Sequence, residues 1–309
     1  MQKGIRFKGI NYDFSEFKED NELTKQLPVL FLEQMMSTRE WSGKPHVTDL
    51  CVGTREAWLK YTTDYYVDFM SGMKMAMGSI RHKNILTSDF SEMDFDVDVK
   101  GSADLIDIRP NGDLFLTDIK FYSSYSVAKH LGITVEKRPL FDEFGNFALY
   151  KNGKQKMMNY TVYTMPDKSY IAMQLNIYRY FLERIIKENE SIQKQLFEEG
   201  AHIYANIKNG HVFNRLAVFM YVTDGGTWMA KNRGILRQSY YDTEIEFNPD
   251  IESIIETKKN DLNRAMKGEY TPPMCPDMYT LTDRYKCYNF CPVRERCEAI
   301  GPGETKSMF

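Results

Sequence analysis

The chain reads as a mixed α/β protein in which helices pack against a sheet. Three observations carry that expectation. Residues 95–121 alternate apolar and polar side chains around a turn, as half-buried strands do. Residues 171–197 carry apolar side chains at helical spacing. The composition, 42% apolar and 14% aromatic over 309 residues, is that of a folded chain and not a disordered one.

The elements follow in order. Residues 1–45 mix charges evenly and read as an N-terminal extension. A helix is expected from Val47 to about Tyr66, with Trp58, Leu59 and Tyr66 on an apolar face, and a second from about Val67 to His82. Met70, Met73, Met75 and Met77 in the second helix read as packing, since methionine fills irregular cores. Phe95–Lys100, Ala103–Ile108 and Leu114–Phe121 form a meander, with Pro110–Asp113 as a turn. Residues 122–170 hold turn signals and many aromatics but no clear period. A long helix runs from Ile171 to about Phe197. A hairpin is expected around Lys208-Asn209-Gly210-His211, joining 201–207 to 212–222. Asn248-Pro249-Asp250 opens a helix to about Lys267, which Pro272-Pro273 closes.

Net charge is −3, so any polyanion would have to be held through local patches or metal ions. The longest apolar runs, such as Pro28–Leu32, fall far short of the roughly 20 residues that cross a bilayer. The basic start has no apolar core after it, so no signal peptide is expected and a cytoplasmic location is the default.

The chemistry concentrates in two places. Asp118 and Lys120 share one strand face, and Asp104 stands on the neighbouring strand. Carboxylates on adjacent strands can hold a hard cation, at about 2.0–2.1 Å for Mg²⁺. A lysine beside them can orient water or stabilise a phosphate. Residues 88–118 contain nine acids against Lys100 and Arg109, a poor phosphate surface without a cation. Elsewhere, four of the five cysteines fall in the last 35 residues: Cys275, Cys287, Cys291 and Cys297, with Cys51 far upstream. Clustered thiols in a chain of this length point to a metal, either a [4Fe–4S] cluster or a structural zinc.

These residues resemble the PD-(D/E)XK nucleases. Gly101–Ile106 and Thr117–Lys120 are similar to the paired core motifs of that superfamily. Gln174-Leu175-Asn176-Ile177-Tyr178 is similar to the Q-x-x-x-Y motif of its RecB-type branch, and Gly78–His82 to that branch's G-x-x-x-H element. The resemblance implies a restriction-endonuclease-like core and metal-dependent hydrolysis of DNA by Mg²⁺- or Mn²⁺-activated water. It implies His82, Asp104 and Asp118 as metal ligands, with the Ile119 carbonyl as a further one. Lys120 would be the catalytic lysine, and Gln174 and Tyr178 would orient substrate. Exonuclease action on single-stranded DNA or DNA ends is the expected mode.

Asp49–Leu59 and Cys291–Cys297 also resemble the AddB class and the CRISPR-adaptation nucleases, whose C-terminus is pinned by an iron–sulfur cluster. The implied ligands are Cys51, Cys287, Cys291 and Cys297. Three residues separate Cys287 from Cys291 where those families place two, and Cys275 is surplus. The resulting division is an extension at 1–45, a nuclease core at 46–270 and a cysteine segment at 271–309 packed back on Cys51.

The 54 positions from Lys120 to Gln174 are long for the family and imply an insertion at about 122–170. Residues 119–160 hold seven basic side chains against three acidic ones. Lys129, Lys137, Arg138, Lys151, Lys154 and Lys156, interleaved with aromatics, are the expected DNA contacts. The chain has no G-x-x-x-x-G-K-[ST] loop, so unwinding would need a separate helicase or recombination partner. A non-cleaving nucleic-acid-binding or assembly factor, or a junction- or RNA-directed nuclease, is the alternative reading. A stand-alone DNA nuclease of the main reading would suit phage or prokaryotic DNA processing.

Overall fold

The computed structural model describes residues 1–36, 39–85, 90–235, 239–275 and 284–303, leaving aside the side chains of 82–85 and 284–286. In chain order the elements are β1 (Gln2–Phe7), β2 (Ile10–Asp13), a 3-10 turn (Phe14–Lys18), α1 (Val29–Glu33), α2 (Val47–Leu50), α3 (Thr54–Thr62), β3 (Tyr65–Asp68) and α4 (Phe69–Ile85). Next come β4 (Ser91–Asp96), β5 (Lys100–Ile108), β6 (Leu114–Tyr122), α5 (Ser124–Leu131), β7 (Ile133–Pro139) and β8 (Met157–Tyr163). The last are α6 (Ser169–Glu188), α7 (Glu190–Glu198), α8 (Ile203–Lys208), β9 (Arg215–Val222), α9 (Trp228–Asn232), β10 (Tyr240–Ile245), α10 (Ile251–Met266), α11 (Arg284–Phe290) and α12 (Arg294–Ile300).

The central sheet runs β10-β9-β6-β5-β4. β4, β5 and β6 form an antiparallel meander, but its first strand is Ser91–Asp96 and not 95–100: residues 97–99 turn the chain, so that Asp96 pairs with Lys100 of β5. β9 then lies parallel to β6, with Asp118 opposite Val218, and β10 closes the edge antiparallel to β9. The face of β6 that carries Leu114 and Leu116 packs into the main core with Leu175, Tyr178 and Phe181 of α6. Asp118 and Lys120 continue that face, Asp118 buried and Lys120 half-buried. α6 presents Ile171, Leu175, Tyr178, Leu182 and Ile186 at helical spacing, and all are buried.

Several elements differ from expectation. The hairpin around Lys208–His211 is a helix followed by a strand. Ile203 and Asn206 share the inner face of α8. The Asn206 amide donates to the Val212 carbonyl at 2.9 Å and to Asn214 Oδ1 at 2.8 Å, folding the turn onto the helix. The long helix breaks at Asn189, whose side chain accepts from the N–H groups of Ser191 and Ile192 and so caps α7. The helix expected over 47–66 is interrupted at Cys51–Gly53 and ends at Thr62, and β3 follows.

Residues 1–36, within the expected N-terminal extension or cap, have a core of their own. β1 lies between β2 and the parallel β3, and Ile5, Tyr12, Phe17, Leu23, Leu32 and Met35 form a second core with Ala76 of α4. Of the α4 methionines, Met73 packs against this core, but Met70 and Met75 are exposed. Residues 122–170 contain α5 and a two-stranded hairpin of β7 and β8, extended by bridges at Phe141↔Phe147 and Leu149↔Gln155. No helix among the described residues is long and apolar enough to cross a membrane.

Candidate functional site

The ladder between β5 and β6 runs only from Ile108↔Leu114 to Leu105↔Thr117, while β5 stays paired to β4 and β6 to β9. The two central strands therefore part just where Asp104 and Asp118 stand. Asp104 Oδ2 crosses the gap and accepts the N–H of Ile119 at 2.8 Å. This carboxylate replaces a ladder acceptor and keeps a central backbone donor satisfied.

Asp118 is 1% exposed, and Lys120 Nζ lies 2.8 and 2.7 Å from its two carboxylate oxygens. Burial works against the charge on Lys120, but Asp118 and then Asp104 outweigh it, so the ammonium titrates above the ordinary lysine range. On α6, Gln174 Nε2 donates to the Tyr178 hydroxyl at 3.1 Å, one helical turn on. Gln174 Oε1 is buried and receives no hydrogen bond. Burial pushes the Tyr178 hydroxyl up to about 12, so it keeps its proton.

A cleft of about 1000 Å³ opens over these residues. Asp104, Lys120, Gln174 and Tyr178 all line it, whereas Asp118 sits beneath Lys120. Ile119 belongs to the same cluster through its backbone. Gly78 and Ser79 of α4 form part of the wall. The side chain of His82, four residues further along that helix, lies outside the described residues.

The sequence gives no sign of several lining groups. Arg39, His46 and Thr48 come from the stretch before and within α2. The backbone brings them there: Lys100 N–H donates to the Pro45 carbonyl at 2.9 Å, and His46 pairs with Lys100 as an isolated bridge. Burial, followed by the Arg39 charge, lowers the His46 pKa. Tyr170 also lines the cleft, at the start of α6. Glu92, Asp94 and Asp96 of β4 supply an acidic wall, which the density of acids in 88–118 does announce.

The donors at the cleft are carboxylate oxygens, the set that suits Mg²⁺ or Mn²⁺. An incoming cation would meet Lys120 Nζ already on Asp118. Among the described residues no group of three or more His, Cys, Asp or Glu side chains is placed to hold a metal ion.

The basic side chains expected to meet DNA stand apart from this cleft. Lys129 pairs with Asp167 at 2.7 Å, and Arg138 with Glu136 at 2.9 Å. Lys137, Lys151 and Lys154 are exposed, and Lys156 lies 5.7 Å from the Tyr150 ring centre. All but Lys129 belong to the β7–β8 excursion or its tip. The excursion leaves the chain after α5 and returns ahead of α6, whose Tyr170 lines the cleft.

The cysteines divide. Cys51 ends α2 and packs against the main core; burial pushes its thiol up to about 12, with Lys258, Lys120 and Asp118 among its electrostatic neighbours. Cys291 and Cys297 join Leu59 and Val293 in a third apolar cluster, and Cys287 is an electrostatic neighbour of Cys291. Cys275 lies on the turn between α2 and α3, so that a Cβ on Gly53 would come within 2.2 Å of its sulfur. The surplus cysteine thus stands beside the segment that carries Cys51.

No family model matches the chain, and no curated protein matches it. Among solved structures, the crystal structure of SSO0001 is similar over 90% of this chain and 97% of that one, with 16% identity and a TM-score of 0.39.

Proposed function

We propose that the chain is a metal-dependent DNA nuclease of the PD-(D/E)XK kind, with a restriction-endonuclease-like core. The observation that carries the reading is the Asp104–Asp118–Lys120 group at the point where β5 and β6 part, with Gln174 and Tyr178 of α6 facing it. The strand order supports it too, with an antiparallel trio followed by a strand parallel to its third member.

When bound, Mg²⁺ or Mn²⁺ supplies a Lewis acid that activates water and neutralises charge on the scissile phosphate. Asp104 and Asp118 would hold it, with His82 and the Ile119 carbonyl as further ligands. Lys120 keeps its proton and faces the cleft, where it donates to a phosphate oxygen. Tyr178, protonated across the working pH range, donates likewise. Gln174 Oε1 accepts from a water or from the substrate. The β7–β8 excursion, basic and aromatic, is proposed to guide single-stranded DNA or an unwound end to the cleft. A [4Fe–4S] cluster held by cysteines of the C-terminal lobe would pin the chain's end to α2 and α3, with zinc as the other occupant to test.

The test is cleavage of 5′- and 3′-labelled single- and double-stranded DNA by anaerobically purified protein with Mg²⁺, Mn²⁺ or EDTA. Metal-dependent cleavage that Asp118→Ala abolishes is expected. Binding without cleavage of any substrate would favour the assembly-factor reading, and cleavage of RNA or junctions alone would redirect the substrate.

A further inference from the structure

One wall of the cleft is built by neither a strand nor a long helix. Residues 39–46 are irregular, yet they are anchored along their length. The rings of Trp41 and Tyr61 meet edge to face at 5.2 Å. Lys44 pairs with Asp96 at 2.8 Å, and the Pro45 carbonyl accepts the Lys100 N–H at 2.9 Å. Asp49 Oδ2 accepts both the His46 N–H at 2.8 Å and the Tyr61 hydroxyl at 2.7 Å. A segment held at so many points keeps its side chains in place before a ligand arrives.

Arg39 stands on this wall. Its Nη1 donates to Thr48 Oγ1 at 3.0 Å, and among the described residues it has no carboxylate partner. The cleft is nevertheless lined by four acids, Glu92, Asp94, Asp96 and Asp104. The other lining cations are taken up: Lys100 pairs with Asp96 at 3.5 Å, and Lys120 holds Asp118. His46 beside it is neutral at pH 7, since burial and then the Arg39 charge lower its pKa, so its ring can donate a hydrogen bond. A guanidinium fork, a hydroxyl and a neutral imidazole are groups that suit phosphate oxygens. The bridge between His46 and Lys100 sets the place of this wall along the sheet. Lys100 and Asp104 both lie on β5, about 13 Å apart at a strand's rise. The wall therefore stands away from the Asp104–Asp118–Lys120 group.

We propose that Arg39, seated on Thr48 beside His46, is a phosphate subsite of the cleft. It grips a phosphate of the bound nucleic-acid strand at a distance from the bond that is cut. Arg39 binds and positions the strand and takes no part in the chemistry. The proposal rests on the reading of the cleft as a nucleic-acid site. An internal phosphodiester and a terminal phosphate offer the same oxygens, and the test separates them.

The experiment uses the full chain in EDTA, as wild type, Arg39→Met, Arg39→Lys and Thr48→Val, with Lys194→Met on α7, outside the cleft, as control. Anisotropy follows binding of fluorescent oligothymidine, with a 5′-hydroxyl or a 5′-phosphate, from low to high salt. Circular dichroism checks folding. One phosphate contact on a single strand adds about 0.7 to the log–log salt slope, which is about fivefold in affinity at ~0.1 M salt. Arg39→Met should lose that affinity and flatten the slope by that amount. Arg39→Lys should keep the slope and lose part of the affinity, because it keeps the charge and loses the fork. Thr48→Val should also lose part of the affinity, and Lys194→Met should match wild type. An equal loss on both oligothymidines assigns the subsite to an internal phosphodiester, and a loss confined to the phosphorylated one assigns it to a strand end. Arg39→Met with the wild-type affinity and slope overturns the proposal. Should Arg39→Met not fold, unchanged affinity in both Arg39→Lys and Thr48→Val overturns it instead. Wild type that binds but does not cleave once Mg²⁺ or Mn²⁺ is added would remove the nuclease reading and leave the subsite standing. Wild type that binds neither oligothymidine would remove the subsite as well.

Discussion

Asp104 on β5 accepts the backbone N–H of Ile119 on β6 across the point where the two strands separate. One carboxylate thereby serves both the sheet and the cleft. Its Oδ2 closes a gap in the ladder while the residue lines the cavity wall.

The two duties can be separated. Asp104→Asn keeps an acceptor for Ile119 N–H, and Asp104→Ala does not. Asp104→Ala should lose about 1–3 kcal/mol of stability relative to Asp104→Asn, the cost of orphaning a buried donor. If the chain is the nuclease proposed, both should lose metal-dependent cleavage. Urea denaturation of the pair, beside the cleavage assay, checks this; equal stabilities would show that the contact to Ile119 contributes nothing to the fold.

Removing Lys120 leaves the Asp118 carboxylate buried without its cation. Lys120→Met should cost on the order of 3–5 kcal/mol, as breaking a buried pair does, and Asp118→Asn,Lys120→Met should recover part of that loss. The pH dependence follows from the raised pKa of Lys120. A group whose folded pKa lies above its unfolded value contributes fully below the unfolded pKa and loses that contribution as pH rises through the folded one. The difference between wild type and Lys120→Met should therefore stay flat from about pH 7 to 9 and shrink only in strong alkali, above the ordinary lysine range. Denaturant titrations at several pH values measure it.

His130 carries the opposite dependence. It is 3% exposed, its Nε2 has no partner, and burial lowers its pKa to about 4. The unfolded chain binds this proton more readily than the folded one, so stability is complete above the unfolded value of about 6.5 and falls as pH drops toward the folded value. The expected loss is on the order of 2–3 kcal/mol between about pH 6.5 and 4. His130→Phe should flatten that part of the stability profile, and a slope identical to wild type would remove His130 as its source.

Gly53 touches Cys275 so closely that a methyl group would fall within 2.2 Å of the sulfur. Gly53→Ala should force the 272–275 segment away from the turn and cost about 1–3 kcal/mol, the usual range for overpacking. Adding Cys275→Gly to Gly53→Ala should restore most of the thermal stability. A fully stable single variant would mean that the two segments separate freely.

Phe141 and Phe147 stack at 5.0 Å with their rings more than half exposed, in the same excursion as Lys151, Lys154 and Lys156. If the excursion guides unpaired DNA, Phe141→Ala,Phe147→Ala should weaken binding of a fluorescent oligothymidine by at least about tenfold, the loss of even one base stack being worth about 1–3 kcal/mol. The melting temperature should barely change, because neither ring belongs to the core. Anisotropy titrations in EDTA read affinity without cleavage.

The parts of the fold legible in the sequence are those governed by local periodicity. The strands carrying Asp104 and Asp118, α6 with Gln174 and Tyr178, and α10 all stand close to where their patterns place them. The misread parts are settled by distant contacts. Residues 203–208 share a turn signal with a hairpin, yet Asn206 satisfies its amide on Val212 and Asn214 and holds the segment helical. β10 alternates too weakly to stand out, and it forms because β9 offers it an edge. At the cleft, Arg39 and His46 arrive through a bridge to Lys100, a pairing that nothing in their own neighbourhood announces. Arg55 reads in the sequence as an ordinary first-turn residue; only the return of α12 onto α3 encloses it.

Gly132 ends α5 in the left-handed conformation, and its carbonyl accepts the N–H of Thr164 at 2.6 Å. The two ends of a thirty-odd-residue excursion are thus cinched at its neck, where the Asp167 N–H also donates to the Lys129 carbonyl at 3.1 Å and Ile133 pairs with Tyr163. A segment attached this way is an interchangeable module. One tight turn joining Gly132 to Thr164 could replace it without stretching the core, because the ends already meet. The hairpin is therefore free to vary in length and charge while the sheet beneath stays constant.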